Sequence, residues 1–365
     1  MQRRKNNLLA STIFDIRQKY FRHRNPGFQP KLWSSITETK LKTVITMVIP
    51  SRGCSWAFSD SGGCSVCGYV NDSSYNQHIP EEMILERFNQ SLKQVNSTKP
   101  IEYKLFNSGS FFDEKDIPQK LRLNLIENIK KSTSVSKLSV ESRPEYLINN
   151  LNVVKKTKEL LEPIELEIGV GFESSNNTIL IDCWNKGFLV EDYKRSVEKI
   201  RTLDIRIKTY ILIKPPFLTE REAINDTLMT VKDTIDIGTE VISLNPCNIQ
   251  NGTLVKDLYQ QDRYQSPWLW SILLIVKKIR DQYPDLEVIC EPIAAGKQRG
   301  THNCGKCDKF VLNLIERVIN NEEITKDLSK ICSCFLKWKF LVESPIESFR
   351  TRNLSKLRKL SPLYE

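Results

Sequence analysis

The chain has 365 residues, 40% hydrophobic and 27% charged, with 54 Lys plus Arg against 44 Asp plus Glu and a net charge of +10. These are globular proportions in a chain long enough to bury one large core or two ordinary ones, which excludes a disordered or fibrous polypeptide. The longest apolar stretch, Trp268 to Val276, contains Ser271 and is too short to span a bilayer, and the run behind the basic start MQRRKNN is too short and polar for a secretory signal. A cytoplasmic protein without membrane association is expected.

From Lys42 onward, β-branched runs alternate with amphipathic stretches. Strands are predicted at Thr43 to Ile49, Ile101 to Phe106, Lys137 to Val140, Ile164 to Ile168, Ile205 to Ile213 and Glu240 to Leu244. Helices are predicted at Pro80 to Val95, Ile117 to Lys131, Tyr146 to Leu161, Leu189 to Leu203, Glu220 to Ile237 and Trp268 to Tyr283, with N-terminal signals such as Pro80-Glu81-Glu82 and Thr219-Glu220. Six strand–helix units with short loops imply a parallel sheet, as an open doubly wound sheet or as a partial or full barrel. In each of these, ligands gather at the carboxyl ends of the strands.

The charge is uneven: 10 basic against 2 acidic side chains in residues 1–50, 7 against 3 in residues 331–365, and a slight acidic excess between them. The basic groups are Arg3, Arg4, Lys5, then Arg17, Lys19, Arg22, His23, Arg24, and at the far end Arg350, Arg352, Lys356, Arg358, Lys359. Two basic ends on a near-neutral body suit a polyanion such as nucleic acid, because each phosphate neutralised releases counterions. Tyr20, Phe21, Phe28 and Trp33 lie among them, as RNA contact or core packing would require.

Ten cysteines stand at 54, 64, 67, 183, 247, 290, 304, 307, 332 and 334. In a chain read as cytoplasmic, clustered cysteines point to metal rather than to disulfides. Cys54, Cys64 and Cys67 form a Cys-x9-Cys-x2-Cys loop, rich in glycine, just past the first predicted strand. A structural zinc site closes with four protein ligands, whereas three thiolates on a four-iron cluster leave one iron open to a small molecule. A zinc loop completed by His78 is the competing reading. Cys304-x2-Cys307 and Cys332-x-Cys334 offer four further thiolates for zinc or a second cluster, with His302 as a substitute ligand. Cys183 and Cys290 read as small buried hydrophobes, and Cys247 falls after the sixth strand.

The spacing of Cys54, Cys64 and Cys67, and its place after the first strand, resemble the elongator-like branch of the radical S-adenosylmethionine (SAM) superfamily. LFNSGSFFD, VESRPEYL, LEIGVGFESSN, YILIKPPFLTE, SLNPCNIQNGT, SPWLWS and CEPIAAGKQRGTHNCGKCD extend the match from about residue 30 to the end. This set is similar to the archaeal RaSEA family of archaeosine biosynthesis.

The resemblance implies a partial (β/α)6 TIM-type barrel, α/β in class, over 41–290, with a basic extension over 1–40 and a cysteine-containing basic segment over 291–365. It also implies a [4Fe-4S] cluster on Cys54, Cys64 and Cys67 that cleaves bound SAM to a 5′-deoxyadenosyl radical. Ser108, Gly109 and Ser110 would meet the methionine amino group, Glu141 and Arg143 the ribose and carboxylate, and Glu173 would assist. Val66 stands where many members place an aromatic residue, so adenine packing would fall to Val66 or Tyr69, with Trp56 and Phe58 covering the cluster. Lys214-Pro215-Pro216 and Asn245-Pro246 would reach substrate, and Lys297, Arg299 and His302 would face RNA.

The implied substrate is a tRNA whose D-loop carries a lysine-adducted 7-deazaguanine. The implied reaction breaks the lysine carbon–nitrogen bond, and the implied partners are the ArcS-type lysine transferase and a low-potential electron donor. Another radical SAM modification of tRNA, or a non-catalytic zinc-stabilised RNA-binding protein, are the rival readings.

Overall fold

The computed structural model of the chain describes residues 7–23, 32–75, 77, 79–93, 99–131, 134–324 and 328–343. The chain divides into two compact units. The first comprises residues 1–63, 67–171 and 191–208, and the second 64–66, 172–190 and 209–365.

The first unit begins with helix α1 (Leu8–Arg22), whose first N–H groups are capped by the Asn7 side chain. Strand β1 (Trp33–Glu38) runs antiparallel to β2 (Thr43–Val48). Helix α2 (Glu81–Lys93), strand β3 (Ile101–Phe106), helix α3 (Gln119–Lys130) and strand β4 (Val135–Ser142) follow. Helices α4 (Pro144–Asn149) and α5 (Leu151–Leu161) lead to strand β5 (Glu165–Gly171). The pairs β2–β3, β3–β4 and β4–β5 are parallel.

After helix α6 (Asn177–Asp182) in the second unit come α7 (Val190–Arg201) and β6 (Arg206–Ile213). The second unit continues with α8 (Glu220–Ile237), β7 (Val241–Pro246), α9 (Leu254–Gln260), α10 (Leu269–Gln282) and β8 (Glu287–Ile289), the last parallel to β7. Helices α11 (Asp308–Ile319) and α12 (Cys334–Glu343) complete it. Among the described residues, eight strands are hydrogen-bonded in chain order, which is the α/β strand–helix architecture expected of a (β/α)6 chain. Among the described residues, no helix is long and apolar enough to cross a membrane.

All six predicted strands and all six predicted helices are present, with one change. The helix expected over Tyr146 to Leu161 is broken at Asn150, whose side-chain amide donates to the Phe112 carbonyl at 2.9 Å instead of facing solvent.

The two faces of the first unit's strands differ sharply. Tyr103 on β3 is fully buried against Phe88 of α2, with ring centroids 5.5 Å apart. The alternate residues Glu102, Lys137, Ser139, Glu167 and Lys208 line the other face, and strand register joins them. Glu102 stands opposite Lys137, and Ser139 opposite Glu167. Lys42 pairs with Glu102, Lys137 reaches Glu102 at 3.2 Å and Glu167 at 3.4 Å, and Lys208 reaches Glu167 at 2.6 Å and the Ser139 hydroxyl at 3.0 Å.

Burial opposes ionisation of Glu167, yet the ammonium groups of Lys208 and Lys137 outweigh it, and the carboxyl is held down at about 2. Because this folded-state value lies below the ordinary 4.5, the stabilisation is complete above the ordinary value and disappears as pH falls toward 2. Glu167→Ala leaves a buried ammonium without its partner and costs about 3 kcal/mol at pH 7. Urea titrations should show that loss shrinking as pH falls below 4.5, and the double variant Glu167→Ala, Lys208→Met should recover much of it.

Candidate active site

The cysteine loop departs from the end of β2 and depends on glycine. Gly53, Gly62 and Gly63 all take positive φ, at 105°, 68° and 86°. A Cβ on Gly62 would lie 2.5 Å from the Phe14 backbone nitrogen, so α1 lies directly on the loop. Arg17 of α1, 2% exposed, donates from Nε to the Gly62 carbonyl and from Nη2 to the Cys67 carbonyl, the latter at 3.0 Å. Arg17 is therefore a clamp on the cysteine loop, which corrects its expected place in a nucleic-acid-facing patch. Lys19, Arg22 and His23 are exposed. Arg3, Arg4, Lys5, Arg24, Phe28, Arg350, Arg352, Lys356, Arg358 and Lys359 lie outside the described residues.

Cys54 opens a helical turn, its carbonyl accepting from the Ala57 and Phe58 N–H groups at 2.9 and 3.2 Å. The segment after β3 comes directly against it. A Cβ on Gly109 would meet Cys54 Cα at 2.9 Å and Asp116 Oδ2 at 2.3 Å, so only glycine allows this approach. Asp116 ties the two turns together: Oδ1 accepts from the Gly53 N–H at 2.7 Å and Oδ2 from the Asn107 side-chain amide. Burial raises the Asp116 pKa against these hydrogen bonds. Asp113 accepts from Ser55 Oγ at 2.5 Å. Neither aspartate stands out by spacing in the sequence, although both sit in FFDEKD immediately after the glycine segment.

Ser110 Oγ accepts the Arg143 backbone N–H at 3.1 Å, and the Glu141 carbonyl accepts from Phe111 at 2.9 Å. The ends of β3 and β4 are thus joined. Arg143, 9% exposed, pairs with Glu145 at 2.5 Å and lies over the Trp56 ring, 5.3 Å from its centroid. The structure therefore brings Cys54, Ser108, Gly109, Ser110, Glu141, Arg143 and Trp56 into one neighbourhood of the first unit. Asn107 Oδ1 is buried there with no hydrogen-bond partner among the described residues. A close-approach glycine, an orphaned polar atom and a buried guanidinium fit the polar methionine end of SAM. Phe58 packs in one apolar cluster with Cys54 and meets Tyr75 edge-on at 5.2 Å, and Tyr69 is 49% exposed. His78, the competing zinc ligand, lies outside the described residues.

Cys64 and Val66 belong to the second unit. There, Ser65 is held by the Trp184 carbonyl through its N–H at 3.0 Å and by the Cys183 carbonyl through its hydroxyl at 2.6 Å. Cys54, Cys64 and Cys67 are half-buried and in no disulfide. Glu173, just past β5, takes the left-handed φ of 75° and pairs with Lys186 at 2.8 Å, while its Oε2 is buried with no hydrogen-bond partner among the described residues. Such strain in a buried carboxylate at a strand's carboxyl end is typical of functional sites.

Lys214 (φ 67°) is bound to Glu220 at 2.6 Å, and Asn245 folds back on Ser243, so both are engaged within the unit. Lys297 and Arg299 are exposed, whereas His302 is bonded through Nδ1 to the Gly300 carbonyl at 2.8 Å. Burial pushes the Cys247 thiol up to about 12, despite Tyr264 and Lys214 nearby, and the Cys290 thiol up to about 12; Cys183 moves the same way. These three remain protonated thiols at neutral pH.

The close contact at Gly109 makes a direct expectation. Gly109→Ala forces the Cys54 turn or Asp116 to shift and should cost about 2 kcal/mol in a denaturant titration, whereas Ser108→Ala should stay within about 0.5 kcal/mol.

No family model matches the chain. It is 31% identical over 346 residues to the archaeosine synthase subunit beta of Methanosarcina acetivorans, covering 93% of this chain and 97% of that one. The archaeosine synthase subunit beta of Thermococcus kodakarensis is 27% identical over 308 residues, 83% and 92% of the two chains. Among solved structures, Methanocaldococcus infernus Elp3 lacking its N-terminus is similar with a TM-score of 0.49 and 14% identity, over 65% of this chain and 59% of that one. With the first of these identities running almost the full length of both proteins, the chain belongs to the archaeosine synthase subunit beta family.

Proposed function

We propose that the chain is a radical SAM enzyme that completes archaeosine in tRNA, breaking the lysine carbon–nitrogen bond of a lysine-adducted 7-deazaguanine in the D-loop. The near-full-length identity to a protein named as archaeosine synthase subunit beta carries this reading. The Cys-x9-Cys-x2-Cys loop supports it by supplying three thiolates and no fourth, from Cys54, Cys64 and Cys67. A [4Fe-4S] cluster held there supplies, when bound, the electron that cleaves SAM reductively to a 5′-deoxyadenosyl radical.

The chain's own residues then position and protect. Gly109 brings the backbone of Ser108 to Ser110 close to Cys54, where carbonyl groups accept from the methionine ammonium. Arg143 offers a planar fork to the methionine carboxylate, in exchange for part of its pairing with Glu145. Glu141 accepts ribose hydroxyls. Trp56 shields the neighbourhood from water, which a radical reaction requires. The target base must leave its stack to be reached, so the tRNA loop is reshaped or the base extruded. Exposed Lys19, Arg22, Lys297 and Arg299 are suited to hold phosphates meanwhile. A subunit named beta implies a companion, which we take to be the ArcS-type transferase that attaches the lysine, together with a low-potential electron donor.

Purified anaerobically, reconstituted with iron and sulfide, and reduced, the chain should convert SAM to 5′-deoxyadenosine. Cys54→Ala, Cys64→Ala and Cys67→Ala should each abolish the product, and Arg143→Ala should weaken SAM binding roughly tenfold or more. Zinc in the loop, with SAM untouched in the presence of tRNA and transferase, would overturn the enzymatic reading in favour of a non-catalytic RNA-binding protein.

A further inference from the structure

The second unit gathers four cysteines from two separate segments. Cys304 Sγ lies 3.9 Å from Cys307 Sγ and 3.5 Å from Cys332 Sγ, and Cys307 Sγ lies 3.5 Å from Cys334 Sγ. All four sulfurs are within 4.8 Å of one another. A disulfide would bring a pair to about 2 Å, so these are four separate thiols. Around one tetrahedral ion with metal–sulfur bonds of about 2.3 Å, neighbouring thiolates stand about 3.8 Å apart. In a four-iron cluster each thiolate binds a different iron, which spreads the sulfurs much more widely. The observed spacing matches the single ion.

We infer that Cys304, Cys307, Cys332 and Cys334 hold one zinc ion in a closed tetrahedral site that fastens the starts of α11 and α12 together. The local structure supplies what four thiolates need. Backbone N–H groups of Lys306 and Cys307 donate to Cys304, the Asn303 amide donates to Cys307 Sγ at 3.4 Å, and Trp270 Nε1 donates to Cys334 Sγ at 3.3 Å. Gly305 (φ 84°) makes the turn between the first pair, where an added Cβ would meet nothing within 4 Å. Its glycine therefore answers to backbone conformation and not to space. Cys307 stands at the N-cap position of α11 and Cys334 begins α12, so two helix N-termini lie beside the thiolates' negative charge. His302 is not needed as a ligand, since four sulfurs close the shell.

The site continues into the core. Cys307 and Cys334 are buried with Trp270 and Trp338, and Phe335 stands edge-on to Trp270 at 5.2 Å. The Cys304–Cys307 turn and the Cys332–Cys334 segment are thereby pinned across 24 intervening residues, Asp308 to Ile331. With no open position, the ion contributes folding energy and takes no part in the reaction.

The test is independent of the cysteine loop near β2. The variant Cys54→Ala, Cys64→Ala, Cys67→Ala should retain one zinc per chain and no iron by elemental analysis, with zinc-edge absorption showing four sulfurs at about 2.3 Å. Cys304→Ser with Cys332→Ser should lose the zinc and lower the thermal midpoint. If that variant does not fold, the absorption spectrum of the triple-alanine chain decides alone. Iron with sulfide in the triple-alanine chain, a nitrogen or oxygen ligand at the zinc, or four thiols that titrate freely without any metal would each overturn the assignment.

Discussion

The first unit's candidate site depends on one close approach, that of Gly109 to the turn that begins at Cys54. Any side chain at 109 would strike the Cys54 backbone and the Asp116 carboxylate. Because the gap is closed, one buried carboxylate can bind both turns at once, taking Gly53 on one side and Asn107 on the other. Arg17 does the corresponding work at the other end of the loop by satisfying the Gly62 and Cys67 carbonyls. Buried carbonyls and N–H groups without partners are costly, so a loop this rich in left-handed glycines needs such outside donors and acceptors. The positions of Ser110, Arg143 and Trp56 follow from the same arrangement, through the Ser110–Arg143 hydrogen bond and the stacked guanidinium.

Below this edge the first unit's strands carry an ionic ladder where many sheets carry aliphatic side chains. Glu102 and Glu167 pair with Lys42, Lys137 and Lys208, and parallel register sets Glu102 opposite Lys137 and Ser139 opposite Glu167. A pairing slip of one residue would turn these charges toward the apolar helix-facing side that holds Tyr103, so the ladder specifies register as well as contributing stability. A slip would also displace the strand ends that carry Ser108 to Ser110 and Arg143.

Much of this was legible in the sequence because the repeating strand–helix pattern is strong. Thr43 to Ile49 and Ile101 to Phe106 are β-branched or apolar runs bounded by turn signals, and the cysteine spacing is a local pattern. What could not be read was long-range. Arg17 sits among other basic residues, and nothing beside it shows that its partners are the carbonyls of Gly62 and Cys67. Asp113 and Asp116 look like ordinary loop acids until the Cys54 turn is brought against them. Strand β1 is nearly all exposed and polar, so it lacks an alternating apolar signal, and β8 has only three residues. Asn150 breaks a helix that its neighbours' periodicity favours, through a bond to Phe112 that only the folded chain supplies. The C-terminal cysteines were visible as two pairs, yet the choice between one ion and a cluster needed the sulfur–sulfur distances.

The radical chemistry proposed to begin near Cys54 has as its target a lysine side chain carried on tRNA. The most direct measurement uses tRNA bearing the 7-deazaguanine adduct with a lysine chain deuterated at its carbons, incubated anaerobically with the reconstituted, reduced chain and SAM. The account predicts archaeosine in the tRNA and deuterium in the 5′-deoxyadenosine, both lost in Cys54→Ala. Archaeosine formed without deuterium transfer, or 5′-deoxyadenosine formed while the lysine adduct persists unchanged, would contradict it.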